Sequence, residues 1–251
     1  MTRKKTASRD YNVLYGVHPV VETIKAGRRP VHEVYLARDP AGSHELKAFV
    51  EGTTVPLVRV SADQIQSIAG SLHHQGVAAK VGPFPYTDFQ EILSTGSSRS
   101  GLLVILDEVQ DPANLGSILR SAECLGACAV MLAKDRAVPI TPAVEKASSG
   151  AAAHVPVARV VNLVRAIEQL KREGWWIYAA DSRGASSCFS VDLSGRASIV
   201  LGSEGRGIRR LVRERCDGSL FIPMTGKVGS LNVSQAAAII LAESLRQRLL
   251  T

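Results

Sequence analysis

The second half of this chain alternates repeatedly between two kinds of segment. Leu102–Leu106, Ala129–Leu132, Trp175–Ala180, Ser198–Leu201 and Leu220–Ile222 are short apolar runs of strand length. Helix-like segments separate them at Leu115–Gly126, Pro142–Ala151, Asn162–Glu173, Ile208–Arg215 and Val233–Leu250. Uninterrupted apolar runs mark strands buried on both faces, and strands alternating with helices mark a mostly parallel sheet covered on each side. The spacing therefore predicts an α/β domain over residues 101–251.

The first part of the chain predicts a second, smaller α/β domain over residues 11–84. Val17–Ala26 carries apolar residues at helical spacing, and Arg28–Pro30 ends it. Val31–Leu36 alternates as a strand, Ser43–Glu51 reads as a helix and Pro56–Val60 as another strand. Val77–Val81 closes the pattern before Pro83 and Pro85. Residues 85–100 read as a linker, with the small polar stretch Thr95–Gly101 at its end. Residues 1–10 read as a flexible basic arm, since Arg3, Lys4, Lys5 and Arg9 precede any acidic residue.

Composition narrows the function class. The 30 Lys and Arg against 23 Asp and Glu give +7 at neutral pH, which favours an anionic partner such as nucleic acid. The surplus is spread along the chain: residues 1–86 hold 11 basic and 7 acidic side chains, and residues 87–251 hold 19 and 16. No apolar run is long enough for a membrane helix, and the basic start leads into no apolar signal core. The four cysteines, at 124, 128, 188 and 216, lack CxxC spacing, which points to a reducing compartment, the cytoplasm. Cys124 and Cys128, at i and i+4, read as buried packing on one helix face. The histidines have no ligand spacing, so no metal is expected.

In open α/β sheets, ligands bind beyond the carboxyl ends of the strands. Three such ends are unusual here. Leu102–Leu106 is followed by Asp107 to Gly116 and a helix bearing Asn114 and Arg120; Ser198–Leu201 is followed by Gly202-Ser203-Glu204-Gly205-Arg206-Gly207. Leu220–Ile222 is followed by Pro223 to Ser234, including Ser230, Leu231 and Asn232. Strand polarity brings all three loops to one edge of the sheet. The glycines permit close approach of a ligand to the backbone, and Ile222 and Leu231 offer apolar walls for a planar base. There is no GxxxxGK[ST] and no dinucleotide fingerprint, which weakens phosphate-loop and oxidoreductase readings. Arg120 is either a surface charge or a fork for a phosphodiester. Ser230 and Asn232 could cap the last helix, touch a ligand, or both. Arg206, Arg209, Arg210 and Arg213, at i, i+3, i+4 and i+7, predict one basic helix face, with only Glu214 and Asp217 nearby to balance it and a nucleic-acid backbone as its partner.

The three loops, in this order, resemble the three signature motifs of the SpoU (TrmH-type) RNA 2′-O-ribose methyltransferases. Here they read Asn114-Leu115-Gly116-Ser117-Ile118-Leu119-Arg120, then Ile199 to Gly205, then Ile222-Pro223-Met224 through Ser230 to Ser234. Tyr15 to Val20 and His74 to Val81 are similar to the family's substrate-binding domain, and Lys146 to Ala152 fits the rRNA-modifying subgroup. The resemblance runs from about Tyr11 to Leu250. It implies a deep trefoil knot in the second domain, S-adenosylmethionine bound there without metal, and a homodimer that completes the sites. It also implies an RNA substrate, most specifically a guanosine of 23S rRNA, with Gly202, Ile222 and Leu231 on the cofactor. Asn114, Arg120, Glu204, Ser230 and Asn232 then form the catalytic constellation. A tRNA ribose methyltransferase and a non-enzymatic rRNA-assembly factor are the alternatives.

Overall fold

The computed structural model describes residues 11–37, 44–95 and 101–250. The expected basic arm and most of the polar stretch at 96–100 lie outside the described residues. The chain divides into two compact units, Met1–Pro85 and Tyr86–Thr251.

In the first unit the order is β1 (Asn12–Tyr15), α1 (Val17–Ala26), β2 (Val31–Ala37), α2 (His44–Glu51), β3 (Leu57–Val60), α3 (Ala62–Ala69) and β4 (Val77–Val81). The sheet runs β1-β4-β2-β3, with β4 antiparallel to both β1 and β2 and β3 parallel to β2. Strand alternation divides the apolar residues between two faces. Leu14, Val34, Leu36, Val77 and Val81 pack in one cluster with Val20, Leu46 and Val50; Tyr35 and Ala78 pack with Ile65 of α3 in another. The apolar spacing alone assigns neither β1 nor α3. Helix α3 carries a readable signal all the same: Ser61 and Gln64 form a reciprocal capping box, and Gly70 ends the helix in the left-handed region at φ 62°.

The second unit contains α4 (Phe89–Thr95), β5 (Leu102–Asp107), α5 (Pro112–Cys124), β6 (Ala129–Ala133), α6 (Pro142–Ala147), β7 (Val157–Val160), α7 (Leu163–Arg172), β8 (Trp176–Ala180), β9 (Ser186–Ser187), β10 (Ala197–Gly202), α8 (Arg210–Arg213), β11 (Gly218–Phe221) and α9 (Val233–Arg248). Its seven strands pair in parallel in the order β7-β6-β5-β10-β8-β11-β9. Strand β5 is buried at every position, as its apolar run predicts. Because Gly202 pairs with Asp107, β10 and β5 end level with each other. Their loops therefore leave from the same edge.

Four expectations need correction. The segment read as a linker contains helix α4, with Ile92 buried and Phe89 and Leu93 packed against the second unit's core. Helix α5 stops at Cys124, so Cys128 is not on it: Cys124 is exposed, and Cys128 sits between helix and strand with its Sγ on the Leu102 carbonyl. Burial pushes the Cys128 thiol up to about 11. Expected to reach from Ile208 to Arg215, α8 spans only Arg210–Arg213, because Arg209 has extended ψ 142° and Gly207 a left-handed φ of 68°. The basic helix face therefore does not form. Two of its arginines, moreover, have acidic partners unseen in the sequence, Asp107 for Arg209 and Asp181 for Arg213, while Arg210 pairs with Glu214.

Candidate active site

At the carboxyl edge of β5, β10 and β11, three side chains from three separate motifs meet. Asn114 lies on the first turns of α5, which Asp111 caps by accepting from the Ala113 N–H at 3.1 Å and which Pro112 starts. Asn232 caps α9, its Oδ1 accepting from the Ser234 N–H at 2.8 Å. Glu204 sits in the loop after β10. Asn114 Nδ2 donates to Glu204 Oε1 at 2.9 Å, Asn232 Nδ2 donates to the same oxygen at 2.6 Å, and Asn232 Nδ2 also donates to Asn114 Oδ1 at 2.9 Å. Asn114 is buried, whereas Glu204 and Asn232 are exposed. The result is one carboxylate oxygen gripped by two amides, with charge-assisted bonds that hold its orientation.

Beside this cluster lies a cavity of about 510 Å³. Gly202, Glu204, Ile222, Ser230, Leu231 and Asn232 all line it, together with Asp181 and the α9 residues Ala236 and Ile240. That volume lies within the range of small-molecule sites, and the lining joins apolar walls to a few polar groups. Gly202 is obligatory at its position: a Cβ there would come within 2.1 Å of the Gly207 backbone. Seven of the eight residues predicted for catalysis or cofactor binding thus fall into one place.

Arg120 is the exception. It lies further along α5, exposed, and its Nη1 donates to Ser149 Oγ at 3.1 Å; it does not line the cavity. Ser149 has a left-handed φ of 53°, uncommon for a residue with a Cβ. Helices α5 and α6 approach closely enough there that a Cβ on Gly116 would lie 2.4 Å from the Ala147 Cβ. Sequence reasoning also missed Asp107 and Asp181. Both follow the last apolar residue of a strand, a position where a carboxylate reaches the ligand edge.

Among the described residues, no group of three or more His, Cys, Asp and Glu is placed to hold a metal ion. None of the helices described is long and apolar enough to cross a membrane.

A parallel α/β unit with a cavity of small-molecule size at its strand ends, lined in part by a carboxylate that two asparagines hold, defines a small-ligand site of the kind enzymes carry at that edge. Comparison with known proteins specifies which. Residues 101–242 match the SpoU rRNA Methylase family, and residues 13–87 match the RNA 2′-O ribose methyltransferase substrate-binding family. The chain belongs to the SpoU family and is thereby an S-adenosylmethionine-dependent RNA 2′-O-ribose methyltransferase. It is 38% identical over 242 residues to the 23S rRNA (guanosine-2′-O-)-methyltransferase RlmB of Xylella fastidiosa, covering 94% of this chain and 97% of that one. It is 36% identical over 248 residues to the putative TrmH family tRNA/rRNA methyltransferase YacO of Bacillus subtilis, covering 96% and 98%. Among solved structures it is similar to the SpoU methyltransferase AviRb of Streptomyces viridochromogenes in complex with AdoMet, at TM-score 0.82 and 26% identity, covering 100% and 95% of the two chains.

Proposed function

We propose that this chain methylates the ribose 2′-hydroxyl of a guanosine in 23S rRNA. The observation that carries the reading is the joint occurrence of the Asn114–Glu204–Asn232 cluster, the adjoining cavity and full-length similarity to proteins named for that reaction. S-adenosylmethionine, when bound, supplies an electrophilic methyl group on its sulfonium. Gly202, Ile222 and Leu231 would hold it, the glycine by allowing close backbone approach and the other two by their apolar surface.

The chain's own residues must orient the hydroxyl and relieve it of its proton. An arginine rarely surrenders a proton, so Arg120 serves as a fork for the phosphodiester beside the target ribose and polarises the hydroxyl. Glu204, held by Asn114 and Asn232, stands where it can share the proton load. Ser230 lines the same cavity and contacts the reacting groups. In this reading residues 11–84 grip RNA, assisted by the basic arm at 1–10, and residues 101–251 carry the chemistry. Arg206, exposed in the loop after β10, and the outer faces of Arg210 and Arg213 contact the RNA backbone. A trefoil knot, a cytoplasmic homodimer and sites completed by the partner belong to the same proposal.

A tRNA substrate is the second reading. The TrmH/SpoU tRNA-modifying enzyme of A. aeolicus, at TM-score 0.55, covers only 64% of this chain, which favours the rRNA reading for a chain with a substrate-binding match at residues 13–87. Purified protein should methylate 23S rRNA in total RNA from a strain lacking its gene, mapped by nucleoside mass spectrometry; label found only in tRNA would reverse the order. Calorimetry with S-adenosylmethionine that showed no binding would remove the enzyme reading altogether.

A further inference from the structure

The loop carrying Glu204 is closed at its base. Ser203 N–H donates to the Gly207 carbonyl at 3.2 Å and Gly207 N–H donates back at 2.9 Å, so the chain leaves the loop beside the point where it entered. Two residues on, Arg209 ties this base to the next strand. Its backbone N–H donates to Asp107 Oδ2 at 2.8 Å, its Nε donates to Asp107 Oδ1 at 2.7 Å, and its Nη2 lies 2.7 Å from the same oxygen. Arg209 Nε also lies 3.6 Å from Glu108 Oε1.

Asp107 is fully buried, whereas the Arg209 side chain is 40% exposed. A buried carboxylate persists only when paired and hydrogen-bonded, and removing its counterion is far costlier than never having built the pair. Glu108, also buried, holds a left-handed φ of 63° and reaches both Arg209 and Arg136. Two consecutive carboxylates at the end of β5 therefore face one guanidinium. If Arg209 swung out to an RNA phosphate, Asp107 would be left buried without its partner. The pairing raises the Arg209 guanidinium further above its ordinary value, with the Asp107 hydrogen bond as the leading cause.

We propose that Arg209 is a positioning residue: it latches the Gly202–Ile208 loop to Asp107 and so fixes both one wall of the cofactor cavity and the place of Glu204. This rests on the cavity being the cofactor site. It assigns the arginine that sequence spacing gave to RNA a role inside the enzyme.

The test compares full-length wild type with Arg209→Lys and Arg209→Ala by calorimetry with S-adenosylmethionine, steady-state kinetics on 23S rRNA transcript, and amide hydrogen exchange. Arg209→Ala should weaken S-adenosylmethionine binding about tenfold or more, the size expected for losing charge-assisted hydrogen bonds. It should also lower kcat, leave KM for RNA unchanged and speed exchange at Ser203 and Gly207. Arg209→Lys keeps the charge without the fork and should recover part of each loss. Should KM for RNA rise while cofactor binding and loop exchange stay as in wild type, the latch is overturned and Arg209 is a phosphate contact. Wild type that fails to bind S-adenosylmethionine sinks the cofactor reading alone, because loop exchange in the two variants still decides whether the latch exists. If Arg209→Ala does not fold, the Lys variant supplies the same readouts.

Discussion

Asn114 and Asn232, 118 residues apart, both donate to the same oxygen of Glu204, and Asn232 also donates to Asn114 Oδ1. That contact separates activity from stability at Asn232. Asn and Asp cap helices equally well, and a negative charge at a helix start is favourable. Asn232→Asp should therefore keep the α9 cap while placing a second carboxylate against Glu204, where a donor stood at 2.6 Å. Methyl transfer should fall by about 10²-fold or more, the scale of a lost proton-transfer contribution, with Tm shifting by only a few degrees. Thermal melts beside turnover measurements check this; turnover as in wild type would mean that the residue is only a cap.

Gly116 provides a test in which two effects oppose each other. Alanine is the better helix former by about 0.5–1 kcal/mol, so helix propensity alone predicts that Gly116→Ala stabilises α5. The new Cβ would lie 2.4 Å from the Ala147 Cβ and 2.9 Å from the Ser148 backbone nitrogen, and overpacking of that kind costs about 1–3 kcal/mol. Packing should win, lowering Tm by about 2–4 °C per net kcal/mol. A rise in Tm would show that α5 and α6 can part without loss.

Much of this was legible in sequence because a parallel sheet advertises itself. Apolar runs as short as Leu102–Leu106, alternating with helical segments, read as strands buried on both faces, and strand polarity then places their trailing loops together without any knowledge of side-chain contacts. What spacing could not show was pairing across that edge. Arg206, Arg209, Arg210 and Arg213 have perfect helical spacing, yet the chain spends Arg209 on a carboxylate 102 positions earlier and so breaks the helix before it starts. Local periodicity carries no information on a partner that far away. Arg120 illustrates the same limit: its spacing from Asn114 was readable, but its bond to Ser149 depends on how α6 is seated against Gly116.

The first unit should show a specific acid sensitivity. Glu33 accepts from the Tyr35 hydroxyl and from Lys80 Nζ, the latter at 3.0 Å, and these bonds hold its carboxyl below the ordinary value of 4.5. A carboxylate depressed in the folded state binds fewer protons there than in the unfolded chain, so its contribution is present above about pH 4.5 and is lost as pH falls through the folded value. Glu33→Gln should be less stable than wild type at pH 7, and the gap should close below pH 4.5. Denaturant melts at several pH values, followed by tyrosine fluorescence, measure that gap. A difference independent of pH would mean that the glutamate matters for packing rather than charge.

If Arg120 grips the phosphodiester as proposed, its bond to Ser149 at 3.1 Å is what aims it. Arg120→Lys preserves the charge but loses the planar fork that grips a phosphodiester through two donors. Turnover should fall by about 10²-fold, within the 10²–10⁴ range of hydroxyl activation, while S-adenosylmethionine binding is unchanged because no cavity-lining atom has moved. Ser149→Ala leaves the fork intact and removes only its anchor, so a loss of several-fold, about the worth of one hydrogen bond, is expected. The order matters more than either value: Ser149→Ala milder than Arg120→Lys, and the double variant no worse than Arg120→Lys alone, since an anchor has nothing to hold once the fork is gone. Additive losses would mean that Ser149 and Arg120 act on the RNA separately.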